Sequence, residues 1–413
     1  MGLVLDLAER AWNGELKKTQ VHPGMAAVAF EELAPRLGFM SAFSNVGVFD
    51  TGDGLVFLDT SSFFHAALVH KEVRAWSDAP VHTAIYTHGH VDHVFGLAPF
   101  EREASDKGHD AIQVLAHHAC PERFDRYQLT NGYNGVINQR QFGLPQPIFP
   151  KEFRYPDQTV GDGHLLEVGD MRFEIHHDRG ETDDHLWIWV PEAKAIYTGD
   201  LFIWASPNCG NPQKAQRYPR EWAHALRRMQ ERKAELLLPG HGPPIIGAER
   251  VERALEETAL LLESLVEQTL AMMNAGARLD DIVQGVKIDE ELLQRPYLRP
   301  SYDDPKFIVR NLWRLYGGWY DGNPARLSPP PDAALAAEVA AFAGGGLALV
   351  ERAQKLAAEN QFELASQLAE WAHQSAPSDA KIRDARSEIY KARIETETSL
   401  MAKAIYRDAA KKA

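Results

Sequence analysis

Cysteine is nearly missing from this chain: Cys120 and Cys209 are the only two in 413 residues. So sparse a pair builds no disulfide framework and reads as two free thiols in a reducing compartment. No run of about 18 uncharged apolar residues exists, which excludes a membrane-spanning helix. Residues 1–10 carry acids inside a short apolar stretch and lack a basic start, so no secretory signal is read and a cytoplasmic location is expected. Positive charge is also in deficit. There are 44 Lys and Arg against 58 Asp and Glu, a formal net charge of −14, with no basic stripe for a nucleic acid. Hydrophobic content of 45% and charged content of 25% are those of a soluble globular protein, and the length predicts two or three domains.

What the chain does have is a dense knot of metal-ligating side chains. His88-Gly89-His90-Val91-Asp92-His93 packs three imidazoles and a carboxylate into six residues after the apolar run 81–86. A turn leaving a strand points His88 and His90 at one place and Asp92 and His93 at another. Nitrogen and oxygen donors without thiolate suit zinc, and iron or manganese less well.

From 43 to 246, short apolar runs alternate with Gly/Asp/Asn turns. Residues 46–49 and 55–58 flank a hairpin turn, and 112–116, 171–175, 186–190 and 195–198 read as further strands. Residues 63–76 and 219–232 read as helices, the second opened by a proline. After His241, Val251, Leu255, Leu262, Val266, Leu270 and Met273 recur at helical spacing. Residues 296–305 form a proline-containing connection, and Pro329-Pro330-Pro331 precedes an alanine-rich tail of strong helix propensity. In that tail Leu364, Leu368 and Trp371 are expected to share one face of one helix of a hairpin, with Ile382 and Ile389 on the other helix.

The His-x-His-x-Asp-His string resembles the signature of the metallo-β-lactamase superfamily. That resemblance implies an α+β fold, an αββα sandwich with metals at one edge. It also implies three later ligands in fixed order. These are His185 in Gly-Glu-Thr-Asp-Asp-His, Asp200 in Thr-Gly-Asp, and His241 in Pro-Gly-His-Gly. His88, His90 and His185 would then hold one metal, and Asp92, His93 and His241 the other, with Asp200 bridging. Asp92 and Asp200 become the catalytic carboxylates, and two zinc ions per chain the expected cofactor. Glu181, Asp183 and Asp184 are candidates to orient the imidazoles. Two such metals share a water and lower its pKa towards about 7, which is hydrolytic chemistry.

A narrower resemblance lies in the helical part. Gly317-Gly318-Trp319-Tyr320-Asp321-Gly322-Asn323-Pro324 is similar to a segment of the alkyl sulfatases, within their helical dimerisation domain. It implies a catalytic domain at 1–248, an all-helical dimerisation domain at 249–413, and a homodimer through the C-terminal helices. Departures accompany it: the alkyl sulfatases place glutamates where His185 and Asp200 stand, and usually continue into a sterol-carrier-like domain. The expected substrate is a small anionic ester, first a sulfate ester, alternatively a lactone, thioester, β-lactam or phosphate ester. For its anionic group Arg217 is the first choice and Lys214 the second, with Asn208 and Asn211 as neutral donors. Trp204 and Phe202 could line an apolar pocket. Tyr133, Asn134, Arg140 and Phe142 lie in a Gly/Asn-rich segment read as a lid loop. The pairs His117-His118 and His176-His177 are read as structural.

Overall fold

The computed structural model describes residues 2–16 and 24–412; Met1, 17–23 and Ala413 lie outside the described residues. The chain forms two compact units. The first comprises residues 1–131, 150–277 and 281–318, and the second 132–149, 278–280 and 319–413. This division does not follow the 248/249 boundary read from the sequence. Helix Ala248–Asn274 buries Val251, Leu255, Leu262 and Val266 within the first unit, against helix Pro219–Gln230.

Two sheets make up the first unit. One holds β1 (Ala29–Ala34), β2 (Leu37–Ser41), β3 (Val46–Asp50), β4 (Leu55–Leu58), β5 (Val81–Ile85), β6 (Gln113–His117) and β7 (Gln158–Val160), side by side in chain order. Its first four strands are antiparallel neighbours, and β4 to β7 run parallel. The other holds β8 (Gly163–Val168), β9 (Met171–His177), β10 (Leu186–Val190), β11 (Ala195–Ile203), β12 (Leu236–His241) and β13 (Ile245–Ile246), antiparallel except for the parallel pair β11–β12.

Strand alternation assigns the side chains to layers. In β4, Val56 and Leu58 join the core between the sheets, with Phe39, Phe173, Ile188 and Leu238. Leu55 and Phe57 face the other way, onto the helices that carry Val69, Val73, Phe100 and Phe124. Every residue of β10 is buried, because Leu186, Ile188 and Val190 fill the inter-sheet core while Trp187 stacks on His176 at 4.2 Å. Together these layers give the α+β sandwich expected from the sequence.

The second unit contains five C-terminal helices: Asp332–Ala343, Gly346–Ala358, Phe362–Ser375, Ala380–Thr396 and Leu400–Lys411. Its core is lined largely by alanine: Ala340, Ala353, Ala365, Ala369, Ala372 and Ala385, with Leu349, Leu356, Ile382 and Ile389. Of Leu364, Leu368 and Trp371, the last two pack against this core, whereas Leu364 is 57% exposed, and Phe362, Ala365, Ala369 and Ala372 are the buried residues of that helix. The Gly/Asn-rich segment read as a loop is also corrected, since Asn131–Phe142 is a helix. Among the described residues no single helix is long and apolar enough to cross a membrane.

Candidate metal centre

The site is assembled from four chain segments of the first unit. Residues 86–93 leave β5, 178–185 link β9 to β10, Asp200 lies within β11, and His241 ends β12. Two glycines permit the close approach. A Cβ on Gly240 would stand 2.3 Å from Asp200 Oδ1, and one on Gly199 would stand 2.7 Å from the His185 ring. Gly199 also has φ +48, a left-handed conformation that glycine adopts without steric cost. The Gly-Asp and Gly-His dipeptides are thus positions where a side chain would collide with the donors.

Two groups of donors meet at Asp200. In the first, His88 Nε2 lies 2.8 Å from His90 Nδ1 and 3.3 Å from Glu181 Oε2, and His90 Nδ1 lies 3.0 Å from the same oxygen. Donor atoms of His88, His90, Glu181 and Asp200 all lie within 4.8 Å of one another. In the second, His241 Nε2 lies 3.3 Å from Asp92 Oδ2, and His93 Nε2 3.8 Å from it. Asp200 Oδ2 is 3.9 Å from His88 and 3.4 Å from His241, and its Oδ1 is 3.4 Å from His93, so this carboxylate faces both groups.

These residues fit a pair of divalent cations. Glu181 Oε2 and Asp200 Oδ1 are buried and make no directed hydrogen bond. Three carboxylates crowd together with little solvent, an arrangement that draws positive charge. The electrostatics agree. Burial disfavours a charged His241, yet Asp200 and Asp92 hold it up to about 10. Burial would raise Asp92, but His93 and His241 pull it well below the usual carboxylate range.

His185 requires a correction. Its Nε2 accepts the backbone N–H of Asp200 at 3.0 Å, and its ring stacks on His88 at 4.6 Å. It therefore stands behind the first donor group, and Glu181 takes the place assigned to it. One oxygen of Glu181 is held from outside, where Oε1 accepts Arg217 Nη1 at 2.5 Å and Asn208 Nδ2 at 2.9 Å. The other is left to the donors. The carboxylate of the first donor group thus comes from Glu181, four residues before the histidine read in its place. Sequence order misled because Gly-Glu-Thr-Asp-Asp-His offers both a glutamate and a histidine in one loop, and the superfamily resemblance favoured the histidine.

A buried carboxylate that the sequence reading missed fixes the imidazoles. Asp59 follows β4 in a left-handed conformation, φ +58. Its Oδ2 lies 2.7 Å from His93 Nδ1 and accepts Thr87 Oγ1 at 2.9 Å, and its Oδ1 accepts Thr87 N at 2.7 Å. Thr87 Oγ1 is in turn 3.0 Å from His88 Nδ1, so one acid orients a histidine of each group. His241 Nδ1 is held by the Phe43 carbonyl. Asp184 accepts Gly89 N at 2.9 Å and Arg123 Nε at 2.8 Å, clamping the motif loop, while Arg123 also pairs with Asp183.

The residues proposed for substrate divide. Asn208 and Asn211 are buried, Asn208 against Arg217, and Asn211 Oδ1 accepts Gln213 N. Arg217 is itself buried and committed to Glu181 and the Asn208 carbonyl. The Lys214 ammonium makes no hydrogen bond or ion pair among the described residues. Burial and Arg217 lower it to about 8, against the pull of Glu181 and Asp92. Tyr302 was missed. It lies in the stretch read as a connection, and burial with the nearby charge of Glu181 holds its hydroxyl above the usual range. Phe202 and Trp204 are core residues, and the Trp204 indole donates to the Pro243 carbonyl at 2.7 Å. Tyr133 belongs to the second unit and is 63% exposed, and Arg140 there lies 3.2 Å from Asp408.

The sandwich and its donor groups define a metallo-β-lactamase fold, and comparison with known proteins agrees. Residues 42–241 match the model of the Metallo-beta-lactamase superfamily, and residues 278–413 match that of Alkyl sulfatase dimerisation. The chain carries both domains and is homologous to alkylsulfatases of Pseudomonas. A "Linear primary-alkylsulfatase" of a Pseudomonas species is 24% identical, over 82% of this chain and 68% of its own length. The "Alkyl/aryl-sulfatase BDS1" of Saccharomyces cerevisiae is 23% identical, over 76% of this chain and 52% of its own. The solved structure of a stereoselective inverting sec-alkylsulfatase, Pisa1 from Pseudomonas sp., superposes with a TM-score of 0.83 at 20% identity. It covers 94% of this chain and 66% of that one, which establishes the shared fold. The chain thus spans half to two thirds of the length of these relatives.

Proposed function

We propose that this chain is a two-zinc hydrolase of sulfate esters, with His88, His90 and Glu181 holding one ion, Asp92, His93 and His241 the other, and Asp200 shared. The observation that carries the reading is the convergence of two donor groups on one carboxylate that faces both. Two bound ions would supply an acidified water and Lewis-acid stabilisation of an anionic leaving oxygen. The chain's own residues do the rest. Asp59 and Asp184 fix the donor loop. Arg217 holds Glu181 in place. Lys214, held at about 8 and without a partner among the described residues, meets the ester's anionic group. The homology to alkylsulfatases supports sulfate as that group, and the dimerisation-domain match supports a homodimer.

The test is a substrate panel with the zinc-loaded protein: alkyl sulfates, lactones, thioesters, β-lactams and phosphodiesters. Sulfate release from alkyl sulfates is the expected result. Turnover confined to another ester class keeps the two-metal centre and overturns the sulfatase reading. Light scattering checks the dimer.

A further inference from the structure

The histidines at the strand ends that hydrolysis leaves unused form a separate donor cluster. His117 ends β6 and His177 ends β9. Asp162 lies in the two-residue link that carries the chain from β7 in one sheet to β8 in the other. Backbone hydrogen bonds hold the three segments together: His177 N donates to Asp162 O at 3.0 Å, and His118 N to Val160 O at 2.9 Å. One donor atom from each of His117, Asp162 and His177 lies within 4.8 Å of the others.

The donor geometry is that of a ligand set. His177 Nε2 donates to the Asp183 carbonyl at 2.8 Å, which leaves the lone pair on Nδ1. A ligand histidine ordinarily has its far N–H held in this way. Nδ1 stands 3.7 Å from Asp162 Oδ1, too far for a hydrogen bond. Two donors about 2.1 Å from one tetrahedral ion stand roughly 3.4 Å apart, and further as the angle opens. His117 is 2% exposed, and its Nε2 has no hydrogen-bond partner. Its ring stacks on His177 at 3.7 Å, with the planes 5° apart. Burial, with His177 and His118 alongside, lowers His117 to about 4, so the ring is neutral at physiological pH, as a ligand requires.

We propose that His117, Asp162 and His177 bind a divalent transition-metal ion, Zn2+ or a similar borderline cation, at a site distinct from the donor groups around Asp200. Two imidazoles and one carboxylate select such an ion over Mg2+ or Ca2+. The Asp162 side chain is 98% exposed, so it closes on the ion from solvent, and water completes the coordination. Binding at His117 Nε2 moves that ring's proton to Nδ1. It gives up the long 3.3 Å contact from Ala119 N–H and turns the two rings out of their stack. Because the ligands come from both sheets, the ion pins the sheets together at this edge and stabilises the fold by mass action.

Cobalt(II) titration tests this, read by visible absorption and by Tm, on the full chain and three variants. Asp162→Ala and the double variant His117→Ala/His177→Ala are expected to lose one equivalent of Co2+ and its share of the rise in Tm. Asp92→Ala is expected to keep that equivalent while losing ions of the hydrolytic centre. Equal stoichiometry in wild type and Asp162→Ala overturns the site, and an unchanged double variant does so independently. Loss of the equivalent in Asp92→Ala alone overturns it too, by returning all bound metal to the Asp200 groups. Asp162 is a surface residue, so its variant keeps the experiment decisive if the double variant fails to fold.

Discussion

The first unit places charge in its interior, and the second places alanine. Around Asp200, three carboxylates and their histidine partners sit mostly buried, only Asp92 and His90 being partly exposed, held by Asp59, Asp184, Arg123 and Arg217. Between the C-terminal helices the same depth is filled by Ala353, Ala365, Ala369 and Ala372, which bring helix backbones close and present no polar atom. In the first case position is set by hydrogen bonds with narrow geometric tolerance. In the second it is set mainly by shape, with Arg386 and Arg393 bridging neighbouring helices at its margin. Substitutions should therefore act through metal affinity and turnover in one unit, and through stability in the other.

The largest effect is expected at the shared carboxylate. Asp200→Ala removes the group facing both donor sets, and kcat/KM should fall by about 10³-fold or more, several kcal/mol of transition-state stabilisation. Metal analysis after dialysis should show less than the wild-type content. An Asp200→Ala protein with full metal and full turnover would dissolve the contrast between the two units, because the buried charge would then be structural.

Asp59→Asn comes next. Asparagine tolerates the left-handed backbone there, so the fold should survive. The His93 imidazole loses its anionic acceptor, the Thr87 hydroxyl that orients His88 loses its own, and metal affinity should fall about 10–100-fold. A competition titration with a chelator reads this directly. Unchanged affinity alongside a lowered Tm would place Asp59 with the packing residues instead.

Arg217 and Lys214 test how finely the charged interior divides its labour. Arg217→Met frees Glu181 Oε1 of its strongest partner, so metal affinity at the first group should weaken with it. Lys214→Met leaves the donors alone and should raise KM for an anionic ester by about tenfold, the loss of one charge-assisted contact. If Arg217→Met raises KM at full metal content, the arginine grips substrate, as its residue type first indicated.

How much of this was legible depended on whether the information was local. His88, His90, Asp92 and His93 are consecutive, and the edge they occupy follows from the strand before them. Asp200 and His241 carry little local signal, and came from the ligand order that the superfamily resemblance implies, each at the end of a strand-like run. Glu181 and Asp59 were not. The Glu181 loop holds two possible donors, and only the backbone path decides that His185 turns to the Asp200 amide. Asp59 lies in Leu-Asp-Thr, a fragment with no pattern of its own, and it meets Thr87 and His93 only because β4 and β5 are neighbours. In the second unit helices were legible from alanine content, but the inward face was not. Hydrophobicity points to Leu364 as much as to Leu368 and Trp371, whereas close helix packing buries the small residues, keeps Leu368 and Trp371 beside them and leaves Leu364 exposed.

That last difference sets the smallest and sharpest test. Ala369 is fully buried and Leu364 is 57% exposed on the same helix, Phe362–Ser375. Ala369→Leu adds three carbons where helices already touch, and overpacking of this kind costs about 1–3 kcal/mol. Leu364→Ala removes three carbons from a side chain largely in water, and surface changes usually stay within about 0.5 kcal/mol. Denaturant unfolding of the two variants should therefore rank them opposite to hydrophobicity: the protein that gains a leucine is the less stable. Should Leu364→Ala prove the more damaging in a protein that remains dimeric, or equally damaging in both states, the inward face is the leucine face after all. Should its cost appear only as the dimer dissociates, Leu364 belongs to a subunit interface, and the alanine core keeps its place inside the unit.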